Sequence, residues 1–249
     1  MKDNNVRYFM KLAYDGTNYC GWQRQPAHPS VQQTIEEKLS MILNKTTTVM
    51  GCGRTDTGVH AKDFILHFET DSAFTKTQLV HQLNATLPAD IAIKDIFPVP
   101  EDFHARFSAT SRSYEYHFHF KKSPFKIKSS WLLKTALNNE LIQQACPDLL
   151  GQQDFTSFAK VHSDVNNHIC TITEARWEFH EDGAIFHISA NRFLRNMVRA
   201  IVGTLIQIGE EKIKPEALKE IIAKKNRAAA GKSVPAHGLY LTNITYPSI

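Results

Sequence analysis

The order of helical and strand-like stretches is the feature that most limits the fold of this 249-residue chain. In the first half, apolar periodicity predicts a strand, a helix, two strands, a helix and a strand, at residues 6–14, 30–44, 47–52, 62–70, 75–87 and 91–97. The second half repeats this order. We therefore predict an α+β fold with two ferredoxin-like β-α-β-β-α-β halves, which form an extended, mostly antiparallel sheet flanked by helices, with a cleft between the halves.

Local signals add detail to this pattern. Ser30 and Gln33 have the spacing of a capping box, and Asn44 suits the end of that helix. In the second half, residues 108–120 predict a long strand, 138–150 a helix that ends near Pro147, 171–191 a hairpin, 192–209 an amphipathic helix, 215–226 another helix and 238–246 a last strand. Prolines interrupt the periodicity within residues 98–107, so we predict two domains, 1–103 and 104–249.

Composition and charge exclude several classes of protein. The net charge of +4 permits a polyanionic partner without requiring one. The four cysteines form no C-x-x-C pair, which argues against a zinc or thioredoxin-like site and is typical of reduced cytosolic thiols. The N-terminus lacks the apolar core of a secretory signal, and no apolar run approaches a bilayer span. We expect a soluble, cytoplasmic protein without membrane contact.

Two stretches resemble ligand sites only superficially. "AAAGKS" at residues 228–233 lacks the first glycine of a phosphate-binding loop, and Pro235 follows too soon for the required helix. His117 and His119 share a strand face, but this pattern is more often a polar strand face than a metal site. We therefore expect no cofactor and no metal, so that any chemistry would come from the side chains of the chain itself.

The polar segment "GCGRTDTGVHA", residues 51–61, has no hydrophobic period although it lies between two apolar strands. Its glycines favour an irregular loop. Arg54 and Asp56 are two residues apart, and in an extended segment they share a face, where the arginine would favour the ionised carboxylate. Such a carboxylate can act as a nucleophile or a base. The local pattern alone favours a capped turn with a surface ion pair, because aspartates in loops are mostly turn formers.

Five further stretches occur with this segment in one order along the chain: YDGTNYCGWQRQP, FHARFSAT, SRSYEYHF, NRFLRNMVR and PAHGLYLTNITY. Together with GRTDTGVHA they resemble the tRNA pseudouridine synthase A family, from about Tyr14 to Tyr246. The resemblance implies an isomerase that converts uridine to pseudouridine at positions 38, 39 and 40 of the tRNA anticodon arm. It implies no cofactor or metal, a tRNA partner and a homodimer with a positively charged cleft.

The resemblance also implies roles for single residues. The aspartate of the G-R-T-D motif is the family's nucleophile, which here is Asp56. Arg54 matches an arginine that helps to extrude the target base and holds the backbone. Tyr114 matches the active-site tyrosine, whose ring can stack on the uracil and whose hydroxyl could assist proton removal. Arg199 matches an arginine that pairs with the aspartate, and Leu241 follows the start of a strand that lines the family pocket.

Basic residues supply the remaining candidates for binding substrate. Arg192 and Arg195 precede Arg199 and are candidates for phosphate contact or a solvated face. Lys122 belongs to a basic run with Lys121, Lys126 and Lys128, which could follow tRNA phosphates or simply face solvent.

One departure from the family pattern falls inside the motif. Thr57 stands where alanine is usual, and its hydroxyl can hydrogen-bond near Asp56 and alter the basicity of the carboxylate. Whether Asp56 attacks C6 of the uracil, attacks C1′ or removes the ribose 2′ proton stays open. Two other functions stay open as well: a non-catalytic tRNA-binding protein that retains the fold, and a basic ferredoxin-like module that acts on protein partners.

Overall fold

The structure is a computed structural model that describes residues 5–161 and 167–248. Among these residues, ten strands and five α-helices form a mixed α+β structure, which confirms the predicted fold class. They fall into two compact units: unit 1 comprises the chain before Ser111 and the segment after Tyr240, and unit 2 lies between them. Residues 1–4, part of the segment in which no secretory signal was predicted, lie outside the described residues.

Unit 1 has the element order predicted for the first half. Its elements are β1 (Val6–Tyr14), α1 (Val31–Leu43), β2 (Met50–Gly51), β3 (His60–Thr70), α2 (Lys76–Thr86) and β4 (Ile91–Pro98). The strands β4, β1, β3 and β2 are neighbours in that order, and each pair is antiparallel. This order is that of a ferredoxin-like half. The last strand of the chain, β10 (Leu239–Thr245), is also a neighbour of β3.

The ends of α1 follow the predicted signals in part, because the Gln33 side chain donates to Glu37 at 2.8 Å and does not complete a capping box with the Ser30 amide. The Ser30 hydroxyl accepts a hydrogen bond from the amide of Gln33 at 3.3 Å, which satisfies one of the free donors of the first turn. At the other end Asn44 adopts the left-handed conformation with φ of 51°, which stops the helix. Between the caps, Val31, Ile35 and Leu39 are buried.

A buried histidine lies within unit 1. His67 on β3 is 9% exposed, and its Nδ1 accepts a hydrogen bond from the amide of Ala105 at 3.1 Å. Burial lowers the pKa of His67 to about 4, and the charges of His104 and Arg7 act in the same direction. His67 is therefore neutral in the folded chain near pH 7, whereas the unfolded chain binds a proton at this side chain below about pH 6.5.

We expect the free energy of unfolding to fall as the pH is lowered from about 6.5 to 4. In this range the unfolded chain binds a proton at His67, whereas His67 in the folded chain stays neutral. His67→Asn keeps an acceptor for Ala105 but cannot titrate. Urea unfolding at several pH values in this window measures the slope of the free energy of unfolding against pH. This slope should be shallower for His67→Asn than for the original chain, by an amount that corresponds to at most one bound proton. The exposed His81→Asn is the control. Parallel slopes for all three proteins would contradict the prediction.

Unit 2 begins the same order again. Its elements are β5 (Ser111–His119), β6 (Trp131–Leu132), α3 (Asn139–Ala145), β7 (Gly151–Asp154), β8 (Ile169–His180), β9 (Gly183–Ala190), α4 (Met197–Gly209) and α5 (Ala217–Lys224). The strands β5, β9, β8 and β7 are antiparallel neighbours in that order, and β6 pairs in parallel with β5. Most strand pairs are thus antiparallel, as predicted. The cleft between the halves and the domain division after residue 103 stay predictions.

The helix predicted over residues 192–209 was wrong in two respects. It begins only at Met197, because Asn196 has φ of 68° and this left-handed conformation cannot continue a helix. It is also buried on nearly all sides instead of being amphipathic. A loop covers one face: the amide of Gly231 donates to the Thr204 hydroxyl at 2.8 Å, and a Cβ at Gly203 would collide with the Lys232 carbonyl.

Candidate active site

The motif that carries Asp56 lies in the loop between β2 and β3, residues 52–59. Asp56 is half-buried, and its carbonyl accepts a hydrogen bond from the amide of Val59 at 3.1 Å, which closes a turn. Gly58 within this turn has φ of 75°, a conformation that favours glycine. The chain therefore presents the Asp56 carboxylate from a defined turn.

A second loop, the bracing loop of residues 15–22, supports the Asp56 loop. The Trp22 amide donates to the Thr55 carbonyl at 3.3 Å, and the Gly58 amide donates to the Tyr19 carbonyl at 3.4 Å. At the end of β1, the Tyr14 and Thr55 hydroxyls lie 3.0 Å apart in a buried hydrogen bond. Three contacts thus hold residues on both sides of Asp56, which limits where the carboxylate can move.

Two glycines permit the close approach of these loops. Gly21 has φ of 84°, and a Cβ built on it would collide with the Thr55 carbonyl. A Cβ at Gly16 would likewise collide with the Val59 carbonyl. Gly53, by contrast, has open space around its Cβ position. The bracing loop belongs to the stretch YDGTNYCGWQRQP, and Gly16 and Gly21 were the available sequence signal for this support.

The arrangement of Arg54 differs from the one inferred from its spacing. Arg54 is exposed and makes no ion pair or hydrogen bond within the described part of the chain, so it does not pair with Asp56. The loop is a turn instead of an extended segment, and alternation does not put the two side chains together there. The side chain of Thr57 is also exposed and makes no hydrogen bond among the described residues. The hypothesis that it hydrogen-bonds near Asp56 is therefore not supported.

Leu241 is the remaining candidate in unit 1. It lies on β10, beside β3, and is only 2% exposed. The side chain is thus part of the packed interior of the protein.

In unit 2, Tyr114 lies near the start of β5, opposite Ile188 of β9. Its ring is half-buried and meets the Phe193 ring edge-on, with centroids 5.2 Å apart. Phe193 belongs to the segment before α4 that also holds Arg192, whose guanidinium donates to the side-chain oxygen of Asn167 at 3.3 Å. The T-shaped contact fixes the ring plane of Tyr114.

Arg199 lies in the first turn of α4 and is half-buried. Its Nε donates to the Val234 carbonyl at 2.7 Å, while the Val234 amide donates back to the Arg199 carbonyl at 3.2 Å. The hydroxyl of Tyr116 donates to the next carbonyl, that of Pro235, at 2.7 Å. Burial raises the pKa of Tyr116 far above its usual value, although the charge of Arg199 acts against this. Val234 therefore holds Arg199 in place, a role that the sequence did not indicate.

Lys122 lies apart from these residues. It follows the C-terminal end of β5, whereas Tyr114 lies near the other end, and the strand from Tyr114 to His119 spans about 17 Å. Its neighbour Lys121 forms an ion pair with Asp182 at 2.8 Å, while Lys122 makes none within the described residues. Any contact of Lys122 with a substrate is thus separate from one at Tyr114.

The described residues contain neither a candidate metal site nor a candidate membrane-spanning helix. Within residues 5–161 and 167–248, no group of His, Cys, Asp and Glu side chains is placed to hold a metal ion. Of the two histidines considered as ligands, His117 contacts Glu115 at 2.8 Å, and Nδ1 of His119 lies 3.0 Å from the Ser130 hydroxyl. None of the described helices has the length and apolar character needed to cross a membrane.

Comparison with known proteins gives a consistent result. A family model described as tRNA pseudouridine synthase matches residues 11–108 and 145–247. A protein named tRNA pseudouridine synthase A from Azobacteroides pseudotrichonymphae is 47% identical, with 97% of each chain covered. Proteins of the same name from Porphyromonas gingivalis and Clostridium acetobutylicum are 47% and 41% identical, and the alignments cover 98% and 95% of this chain and 98% of each relative.

The fold is that of a mixed α+β protein, and the candidate site presents a carboxylate on a braced loop. The family match and the relatives show that the chain belongs to the tRNA pseudouridine synthase family, and that it is an isomerase that converts uridine in tRNA to pseudouridine. Among solved structures, a chain of a Cbf5-Nop10-Gar1 complex aligns with 94% of this chain and 57% of its own length, at a TM-score of 0.36 and 12% identity. That likeness is too low to support an argument.

Proposed function

We propose that this enzyme isomerises uridine at positions 38, 39 and 40 of the tRNA anticodon arm, with Asp56 as the catalytic carboxylate. The observation that carries the proposal is the placement of Asp56 in the G-R-T-D motif, on a turn that the bracing loop holds on both sides. Positioning of this kind is what a reaction at one atom of a bound nucleotide requires, because a displacement of about 1 Å can cost about 10²-fold in rate.

The reaction conserves all atoms of the uridine. The bond between N1 and C1′ breaks, the detached uracil turns, and C5 bonds to C1′. The proton on C5 is lost and N1 gains one. Before this, the uridine must leave the stack of the anticodon arm, at a cost of a few kcal/mol. Arg54 is exposed on the same loop as Asp56 and makes no internal ion pair within the described residues, so its guanidinium is available for a phosphate of the extruded nucleotide.

The other candidate residues bind the base, the backbone or Asp56 in this proposal. Tyr114 stacks on the detached uracil, with its ring plane fixed by Phe193, and its hydroxyl assists removal of the C5 proton. Arg199 is held by Val234 and pairs with the Asp56 carboxylate, and Arg192 contacts the RNA backbone. Leu241 forms part of the apolar wall of the pocket. The same proposal includes a homodimer, a cytoplasmic location and no cofactor, with residues 1–103 carrying Asp56 and 104–249 carrying Tyr114 and Arg199.

The test is to map pseudouridine in tRNA from a strain that lacks this gene, with the same strain complemented by the gene as the control. We expect pseudouridine to disappear from positions 38, 39 and 40 and to return on complementation. Loss at a different position of tRNA would leave the family assignment intact and overturn the proposed site specificity. A protein that binds tRNA without modifying it would cause no loss at any position.

Deuterium at C2′ of the target uridine separates the possible routes. If Asp56 removes the ribose 2′ proton, the single-turnover rate should show a primary isotope effect, because the C2′–H bond breaks in that step. Attack on C6 or C1′ leaves this bond intact, and no primary effect is expected.

The two tyrosines of the stretch SRSYEYHF, Tyr114 and Tyr116, should respond differently to loss of their hydroxyls. Tyr116→Phe removes the partly buried hydrogen bond to Pro235, and we expect a loss of about 1 kcal/mol in the free energy of unfolding. Tyr114→Phe keeps the ring for stacking, so we expect tRNA affinity to be retained and the rate of isomerisation to fall, by about 10²-fold if the hydroxyl moves the C5 proton. Single-turnover kinetics and urea unfolding of both variants check the contrast. A Tyr114→Phe variant with the original rate would restrict Tyr114 to stacking.

A further inference from the structure

The connection that follows β5 exposes apolar and basic side chains together. Phe125 is 93% exposed and Ile127 is 65% exposed, although apolar side chains of this size are often buried in a folded chain. Lys122, Lys126 and Lys128 are exposed around them. We call residues 122–128 the basic tip. A large exposed ring on a monomer often marks a binding surface, and its neighbours indicate the partner.

The backbone of the basic tip is ordered by turns. The amide of Lys126 donates to the Ser123 carbonyl at 3.3 Å, which makes residues 123–126 a β-turn with Pro124 at its second position, where the fixed φ of proline is favourable. The amides of Ser129 and Ser130 then donate to the Lys126 carbonyl at 3.2 and 3.1 Å. The ring of Phe125 is therefore displayed at a defined place in a turn, and less ordering entropy is lost when it binds a partner.

Side chains at both ends anchor the tip. Before it, Lys121 forms an ion pair with Asp182 at 2.8 Å. After it, Tyr240 donates a hydrogen bond to the Ser129 carbonyl at 2.8 Å, and the Ser130 hydroxyl lies 3.0 Å from Nδ1 of His119. These contacts connect the basic tip to the strands of unit 2 while Phe125 stays uncovered.

The lysines of the tip have no ion-pair partner: Lys122, Lys126 and Lys128 form no ion pair within the described residues. The acid next to the tip is Asp182. The hydrogen bond and charge of Lys121 lower the pKa of Asp182, and the charge of Lys126 adds to this effect. Three exposed lysines without ion pairs, close in sequence to an exposed ring, match a partner that offers both phosphates and a flat apolar face.

We propose that the basic tip is a second RNA contact, in which Phe125 stacks on an unpaired base of tRNA and Lys122, Lys126 and Lys128 bind the flanking phosphates. Unpaired bases present free faces to aromatic side chains, whereas bases within a duplex are already stacked on each other. This contact rests on the proposed action on tRNA, but the basic tip lies beyond the opposite end of β5 from Tyr114. It supplies affinity for tRNA and takes no part in the chemistry.

The test measures the affinity of the full chain for a full-length tRNA transcript and for an isolated anticodon stem-loop. We expect Phe125→Ala to raise the Kd for tRNA about tenfold, which corresponds to about 1.4 kcal/mol, and Phe125→Trp to keep it within about twofold. Leu150→Ala, an exposed apolar truncation elsewhere in unit 2, is the matched control and should change nothing. A loss with tRNA alone places the stacked base outside the anticodon arm, and a loss with both RNAs places it in that arm; either result supports the proposal.

Salt dependence tests the lysines independently. We expect Lys122→Ala combined with Lys128→Ala to reduce the slope of log K against log salt by about 2, and the exposed Lys219→Ala to leave it unchanged. An unaltered tRNA affinity in Phe125→Ala would overturn the proposal. So would a shift of Phe125→Ala from dimer to monomer in sedimentation, because the ring would then cover a second copy of the chain. If the original protein formed no pseudouridine, this result would count against the proposed function. The binding measurements would still test whether the basic tip contacts tRNA.

Discussion

Asp56→Asn should reduce pseudouridine formation at least about 10⁴-fold while tRNA still binds. The substitution keeps the size of the side chain and removes its charge, and an amide cannot replace a carboxylate as nucleophile or base. The contacts of the loop with Tyr14, Tyr19 and Trp22 use its backbone and the hydroxyl of Thr55, and Asp56→Asn leaves these three contacts in place. Single-turnover conversion of a radiolabelled anticodon stem-loop measures the rate, and gel shift measures binding.

Asp102→Asn is the matched control, because Asp102 is an exposed aspartate of the same unit with no hydrogen bond or ion pair among the described residues. It should behave like the original protein in both assays. If Asp56→Asn retained full activity, the catalytic assignment would be wrong. If it lost tRNA binding to the same extent as activity, the carboxylate would serve recognition and not the chemical step.

Gly21→Ala should damage activity from a position that does not touch the substrate in our proposal. Its φ of 84° strains any other residue by about 1–3 kcal/mol, and the added Cβ would collide with the Thr55 carbonyl. The Asp56 loop must then shift away from the bracing loop. We expect the free energy of unfolding to fall by about 2 kcal/mol or more, and the rate of isomerisation to fall about 10²-fold.

Gly53→Ala is the contrasting control within the same motif. Its Cβ position has open space and its φ is not positive, so we expect stability to change by less than about 0.5 kcal/mol. Urea unfolding and single-turnover kinetics of both variants are compared at one temperature. Equal behaviour of the two glycine variants would show that the bracing loop does not position Asp56.

Sequence alone predicted those parts of the fold that depend on local chemistry. The caps of α1 at Ser30 and Asn44 occur as expected, because a hydroxyl that accepts an amide and an asparagine in the left-handed region are properties of single residues. The β-α-β-β-α-β order of unit 1 was predicted for the same reason, since strands and helices differ in apolar period.

The errors occurred where nonlocal packing decides the structure. A start of α4 at Arg192 agreed with the apolar period, but the left-handed Asn196 separates that segment from the helix. The burial of α4 depends on the distant loop at Gly231 and Lys232, which no window of sequence contains. Likewise, Arg54 was placed beside Asp56 by assuming an extended segment, whereas the turn closed by Val59 separates their side chains.

The candidate site shows the same limit. Asp56, Tyr114 and Arg199 were found because their motifs match a family, and their roles stay proposals. The residues that position them were not found, because Thr55 with Tyr14, Phe193 with Tyr114 and Val234 with Arg199 are contacts between distant parts of the chain. Supporting contacts of this kind can be identified only from the three-dimensional structure.

The position of β10 in the sequence has a consequence for synthesis on the ribosome. The Thr110 amide donates to the Thr245 carbonyl at 2.8 Å, and the Tyr246 hydroxyl donates to the Ala105 carbonyl at 2.6 Å, so residues made after unit 2 complete unit 1, most of which is made before it. A chain still being synthesised in unit 2 therefore carries the Asp56 loop in a unit whose sheet lacks a strand. A nascent polypeptide emerging among many tRNA molecules should stay inactive until β10 has been made.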